Sequence, residues 1–280
     1  MDTERIASCH ALAQRHCNTG ADDCRWYHGN WHLLKSLGVV STSAIHEAGI
    51  VELLESAIGD NAAPRFLVTG SADETLLRIV HKTCQALGAQ ARITALDICA
   101  TPLAFMESYA SRTQIQLATV RADILVFDAA ERFDVILAHA FMGYFDDVHR
   151  QRLVGKWKEL LSAKGRIVTI QRVRPLKSAS VVRFSQRQAS GFVATAIDAA
   201  RQQGMSSGPE LNRVKEAATQ FSNRFCSHAI RSKAALEKLF IDAGMVFERL
   251  EYHTLGQLEN LSGPSVPSRG EYAHIVARRP

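Results

Sequence analysis

Four short groups of residues in the middle of the chain have types and spacing that could do chemistry. They are Gly70-Ser71-Ala72-Asp73, Asp97-Ile98, Ala122-Asp123-Ile124 and His139-Ala140-Phe141, and each follows a short apolar run. A glycine lets backbone come close to a ligand, and a carboxylate can accept both hydroxyl hydrogens of a ribose. A second carboxylate, Asp123, can accept from an adenine amino group while Ile124 gives apolar contact to the ring. Together these are parts for holding a nucleoside. Nearer the N-terminus, Arg25-Trp26-Tyr27-His28-Gly29-Asn30-Trp31-His32 concentrates aromatics and histidines. An aromatic face there could attract a cation, and the Tyr27 hydroxyl could bond a carboxylate. Further on, Arg172 and Arg174 could meet a carboxylate or phosphate.

The elements that must position these groups follow from hydrophobic period. Residues 1–60 read as helices: acidic Asp22-Asp23 precede one ending near Gly38, and Ile50, Leu53, Leu54, Ala57 and Ile58 form one stripe of a second, with Thr42-Ser43 as caps and Gly59 as its stop. From Pro64 strands alternate with helices, the pattern of a parallel sheet covered on both faces. The spacing predicts strands at 65–69, 92–96, 115–120, 133–138 and 166–171, the last after a turn at Ala163-Lys164-Gly165. Helices are predicted over 74–87, from Pro102, and over 148–161. Residues 172–227 interrupt the alternation with helical stretches near 191–203 and 209–221. A helix at 233–243 and strands at 246–253 and 272–277, joined by a loop at 254–270, complete the pattern as an antiparallel edge hairpin. In an open parallel sheet a ligand binds at the strands' carboxyl ends where their order reverses, which is where the four groups fall.

On these residues the chain resembles the class I S-adenosylmethionine-dependent methyltransferases over roughly Pro64–Ala277. The resemblance implies a Rossmann-like, doubly wound seven-stranded α/β sheet with N-terminal helices and a helical insertion after the fifth strand. It implies an N-terminal helical lid over residues 1–60 and a cofactor-binding domain over 61–280, with the insertion at about 174–228. S-adenosylmethionine is the implied cofactor, with Gly70, Ser71 and Ala72 at its amino-acid end, Asp97 and Ile98 at the ribose, and Asp123 and Ile124 at the adenine. His139 then faces the cofactor, and Trp26 and Tyr27 are candidates to touch it from the lid. Tyr27, His28, His139 and Tyr144 are the candidate catalytic residues. The glycine loop departs from the family's usual acidic residue and G-x-G-x-G, keeping only Gly70 and Ala72 small in register.

The implied function is methyl transfer to a small-molecule acceptor, with an anionic acceptor suited to Arg172 and Arg174. Alternatives are cyclisation of the cofactor's aminobutyryl group with release of methylthioadenosine, methylation of nucleic acid, and cofactor binding without chemistry. A nicotinamide dehydrogenase would need the second and third glycines of G-x-G-x-x-G, absent from Gly70-Ser71-Ala72-Asp73-Glu74-Thr75, and no phosphate-binding G-x-x-x-x-G-K-[ST] occurs.

Composition bounds the rest. The 280 residues are 46% hydrophobic, enough for one large core or two small ones and too apolar for a disordered chain. The start carries no basic and apolar leader, and no apolar run approaches the ~20 residues of a membrane span. Six cysteines without a C-x-x-C suit a reducing, cytoplasmic setting, and neither a metal site nor a disulfide framework is expected. A net charge of +5 is too modest to mark a nucleic-acid binder, yet residues 150–187 hold eleven Lys or Arg against one acid, Glu159. That run is either a solvated face or the mouth of an anion-attracting pocket.

Overall fold

The computed structural model describes residues 3–18, 20, 23–174, 181–254 and 271–280. Its first half holds α1 (Thr3–His16), α2 (Arg25–Ser36), α3 (Glu47–Ile58), β1 (Arg65–Thr69), α4 (Thr75–Ala86), β2 (Arg92–Asp97), α5 (Ala100–Thr113) and β3 (Leu117–Arg121). Then come β4 (Phe133–His139), α6 (Asp147–Leu160), β5 (Leu161–Val173), β6 (Val181–Val182), α7 (Gln186–Gln202) and α8 (Gly208–Arg224). The chain closes with β7 (Ser227–His228), α9 (Lys233–Asp242), β8 (Val246–Thr254) and β9 (Glu271–Arg278). The predicted loop at 254–270 lies, from residue 255 on, outside the described residues.

Seven strands form one sheet in the order β3-β2-β1-β4-β5-β9-β8. Neighbours from β3 to β5 are parallel, while β9 runs antiparallel to both β5 and β8, so the expected doubly wound sheet with an edge hairpin is what the chain builds. The middle strands need an unbroken apolar run because helices cover both faces: Phe66, Leu67 and Val68 of β1 are fully buried, each stabilising by about 1.5–3 kcal/mol. Chain order runs one way from β1 to β3 and the other way from β4 to β5, which puts the reversal between β1 and β4.

Two elements start earlier than their sequence patterns suggest. β5 begins at Leu161 and carries residues 163–165, read as a turn, through a register shift against β4 between Phe133 and Val135. α7 begins at Gln186 because Ser185 and Gln188 form a reciprocal capping box, a polar signal that the apolar stripe from 191 does not contain.

The described chain forms two compact units, one within Met1–Thr42 and Val181–Ser227, the other within Ser43–Ser180, His228–Thr254 and Gly270–Pro280. Residues 43–60 belong to the second of these units. The cause is α3, whose stripe of Ile50, Leu53, Leu54, Ala57 and Ile58 packs toward β4, β5 and β9, and whose Glu47 takes both guanidinium nitrogens of Arg78 on α4 at 2.9 and 2.8 Å. In the helical unit, Trp26 and Tyr27 of α2 pack with Phe221 of α8, and Phe184, Phe192 and Phe225 extend the cluster. No described helix is long and apolar enough to cross a membrane.

Candidate functional site

Strand register brings three of the four predicted groups to one edge of the sheet. Thr69 pairs with Leu96 on β2 and with Ala138 on β4, so the next residue, Gly70, lies between Asp97 and His139 at the point of reversal. Asp97 pairs in turn with Arg121, and the Ala122 N–H donates to the Asp97 carbonyl at 3.1 Å, which sets Asp123 just beyond. The same row continues through the register pairs His139 with Ile170 and Ile170 with His274.

Each group has its own local cause. Gly70 has φ +67°, and a Cβ built there would overlap the ring of Phe141, so only glycine suits both the backbone and the neighbour. Ser71 follows with a buried hydroxyl, as Thr69 precedes with one, and neither oxygen has a hydrogen-bond partner among the described residues. Buried hydroxyls are nearly always partnered, so these two fit the polar amino-acid end of a bound ligand. Asp73 turns inward and accepts from the Thr75 N–H at 2.8 Å, fixing the entry to α4. Asp97 Oδ1 accepts from the Cys99 N–H at 2.8 Å, and Asp123 Oδ1 from the Leu125 N–H at 2.9 Å. Both carboxylates are thus held in place while half-buried. Ile98 is 61% exposed beside Asp97. Ile124 is buried and belongs to the core cluster that includes Leu67, Leu96 and Ile136.

His139 ends β4 with its ring among other histidines. Its centroid is 5.0 Å from that of His46, which caps α3, and His46 is 4.4 Å from Tyr272 and 5.9 Å from His274 on β9. The Nε2 atoms of His46, His139 and His274 are enclosed without a partner among the described residues. Burial above all, and then repulsion from neighbouring imidazoles (for His274, that of His253), pushes these imidazoles down, His46 to about 3 and His139 and His274 to about 4, so all three are neutral at pH 7. Gly49 of α3 makes this possible, since a Cβ there would run into the His274 ring. Sequence reasoning missed His46, His274 and Tyr272. The one available signal was Tyr272 and His274 at alternate positions of a strand, hence on one face.

Arg172 lies over the Tyr272 ring at 5.8 Å, two residues along β5 from Ile170 and on the same face. Arg174 is 6% exposed, donates its backbone N–H to the Ile230 carbonyl, and leaves Nη1 without a partner among the described residues. Burial, reinforced by Arg172, pushes its guanidinium down to about 10, still charged at neutral pH. The rest of the basic run is not one surface. Arg150 is buried and bonds the Met142 and Ala229 carbonyls and Asp147, Lys156 pairs with Glu159, and Arg166 pairs with Glu248.

Of the remaining predicted residues, Ala72 follows Ser71 in the β1 loop, and Tyr144 is 58% exposed at the end of the 3-10 turn Phe141–Tyr144. Trp26, Tyr27 and His28 belong to the helical unit, where His28 turns Nδ1 to Cys17 Sγ at 3.5 Å.

No family model and no curated protein matches the chain. Among solved structures it is similar to the N-methyltransferase NodS from Bradyrhizobium japonicum WM9 in complex with S-adenosyl-L-homocysteine, at 14% identity and a TM-score of 0.51 over 99% of this chain and 97% of that one. It is also similar to geranyl diphosphate C-methyltransferase from Streptomyces coelicolor A3(2), at 14% identity and 0.51 over 84% and 79%. A third likeness is to an S-adenosylmethionine-dependent methyltransferase from Clostridium acetobutylicum, at 9% identity and 0.50 over 83% and 91%. With the strand order and the row at its carboxyl edge, these likenesses give the chain the class I S-adenosylmethionine-dependent methyltransferase fold.

Proposed function

We propose that this chain transfers a methyl group from S-adenosylmethionine to a small-molecule acceptor that carries an anionic group. The observation that carries the reading is Gly70 set between Asp97 and His139 where the strand order reverses. In this reading Asp97 takes the ribose hydroxyls, Ser71 with the Gly70 and Ala72 backbone holds the amino-acid end, and Asp123 and Ile98 border the adenine. S-adenosylmethionine, when bound, supplies a methyl carbon already activated by its sulfonium. The chain's own tasks are then to align the acceptor in line with that carbon and to exclude water. The neutral His139, backed by His46, takes the proton that a hydroxyl or ammonium acceptor releases on methylation. Arg174, buried and with no partner at Nη1 among the described residues, holds the acceptor's carboxylate or phosphate.

Calorimetric titration with S-adenosylhomocysteine tests cofactor binding, and no heat of binding ends the proposal. Incubation with S-adenosylmethionine and candidate anionic acceptors, followed by chromatography, tests the reaction. S-adenosylhomocysteine is the expected product. Methylthioadenosine in its place assigns cyclisation instead.

A further inference from the structure

The helical unit carries a second cluster of reactive side chains, none of which the proposed reaction uses. Cys17 directly follows α1, Cys24 directly precedes α2, and His28 stands one turn into α2, giving the spacing C-x6-C-x3-H. Cys24 and His28 are four residues apart and so share a helix face, and Cys17, at the end of α1, meets that face. The two sulfurs and a ring nitrogen of His28 all lie within 4.8 Å of one another, and Cys17 Sγ is 3.5 Å from His28 Nδ1.

We propose that Cys17, Cys24 and His28 form a binding site for a divalent transition-metal ion, zinc foremost. With Zn–S near 2.3 Å and Zn–N near 2.0 Å, tetrahedral angles place sulfur and nitrogen about 3.5 Å apart and two sulfurs about 3.8 Å apart. The Cys17–His28 separation already equals the first of these edges. Two thiols and an imidazole are the donor set that favours zinc over magnesium or calcium, which take oxygen. The surroundings fix the donors as a metal site requires. Asp23 accepts from the Arg25 backbone N–H at 3.0 Å and from its Nε at 2.9 Å, which pins the turn carrying Cys24. Cys9 of α1 donates its thiol to the His28 carbonyl at 2.8 Å, which pins the start of α2. On binding, the two thiols give up their protons to solvent and the imidazole binds as the neutral ring, so the loaded trio carries no net charge. The trio fills three of four tetrahedral positions. The ion fastens the α1–α2 hairpin, and the spacing escapes the C-x-x-C pattern by which such sites are read from sequence.

The whole chain, purified without chelators and under reducing conditions, should contain one equivalent of zinc by elemental mass spectrometry. Replacement by cobalt should give a thiolate-to-metal charge-transfer band with the intense visible bands of tetrahedral coordination. Cys17→Ser, Cys24→Ser and His28→Ala should each lower cobalt affinity roughly tenfold or more, and Cys226→Ser should not. Alkylation of the unmodified chain avoids any failure of a variant to fold: zinc should protect Cys17 and Cys24 while Cys226, in the same unit, reacts as before. A cobalt spectrum without thiolate bands, equal labelling with and without zinc, or a Cys17–Cys24 disulfide in the reduced preparation overturns the site.

Discussion

The ring of Phe141 fills the space into which a side chain at residue 70 would project. The glycine at the tip of β1 is thus required twice, by its φ of +67° and by a residue that follows β4. Phe141 is in turn fixed by its turn, where the Met142 N–H donates to Gln171 Oε1 at 3.2 Å and the Met142 carbonyl accepts from Arg150 Nε at 3.0 Å. The two loops that border the candidate cradle are therefore one packed unit.

Gly70→Ala should cost about 1–3 kcal/mol, from overlap with the ring and a left-handed backbone. Phe141→Ala removes only the overlap, so the double variant should recover part of the loss. Urea unfolding of the four proteins measures the coupling. Strict additivity would show that the two residues do not meet.

Asp97→Ala should weaken S-adenosylhomocysteine binding by about 1–3 kcal/mol, the worth of a hydrogen bond to a charged group. Calorimetry reads it, with unfolding curves to separate lost binding from lost fold. Unchanged affinity removes Asp97 from the site.

The histidine cluster predicts how stability depends on pH. His46, His139 and His274 have folded values of about 3, 4 and 4, below the unfolded value of 6.5. Above about pH 6.5 both states are neutral and these groups contribute no slope. Below it the unfolded chain binds protons that the folded chain refuses, so stability falls with pH until the folded values are reached, by up to about 1.4 kcal/mol per pH unit for each histidine. Urea midpoints between pH 7.5 and 4.5 should fall, and His139→Asn should flatten the fall. Equal slopes for the two proteins would mean that His139 titrates normally.

Much of this architecture was legible because each part has a local signature. Asp97 and Asp123 sit after apolar runs of strand length, and Gly70 after the first such run, so strand succession alone aligns them. His46 and His274 could not be found that way, since they meet only through the packing of α3 on a strand from the far end of the chain, with Gly49 making the room. Arg150 reads as one more cation in a basic run, and its burial depends on carbonyls at Met142 and Ala229.

Arg174 gives the sharpest test of what the site receives. A guanidinium removed from water with Nη1 unpartnered among the described residues destabilises the fold, and an apolar side chain of similar volume relieves that cost. Arg174→Met should therefore raise stability by about 1–3 kcal/mol in a buffer free of multivalent anions. Anions that bind only the folded chain should narrow the gap, because each stabilises by mass action in proportion to its affinity. Phosphate should raise the Tm of the parent protein and leave that of Arg174→Met unmoved. In turnover with an anionic acceptor the same variant should raise KM, whereas Arg174→Lys, which keeps the charge, should raise it less. Equal response of parent and variant to phosphate would place the acceptor's anion elsewhere and leave Arg174 a buried charge that the fold merely tolerates.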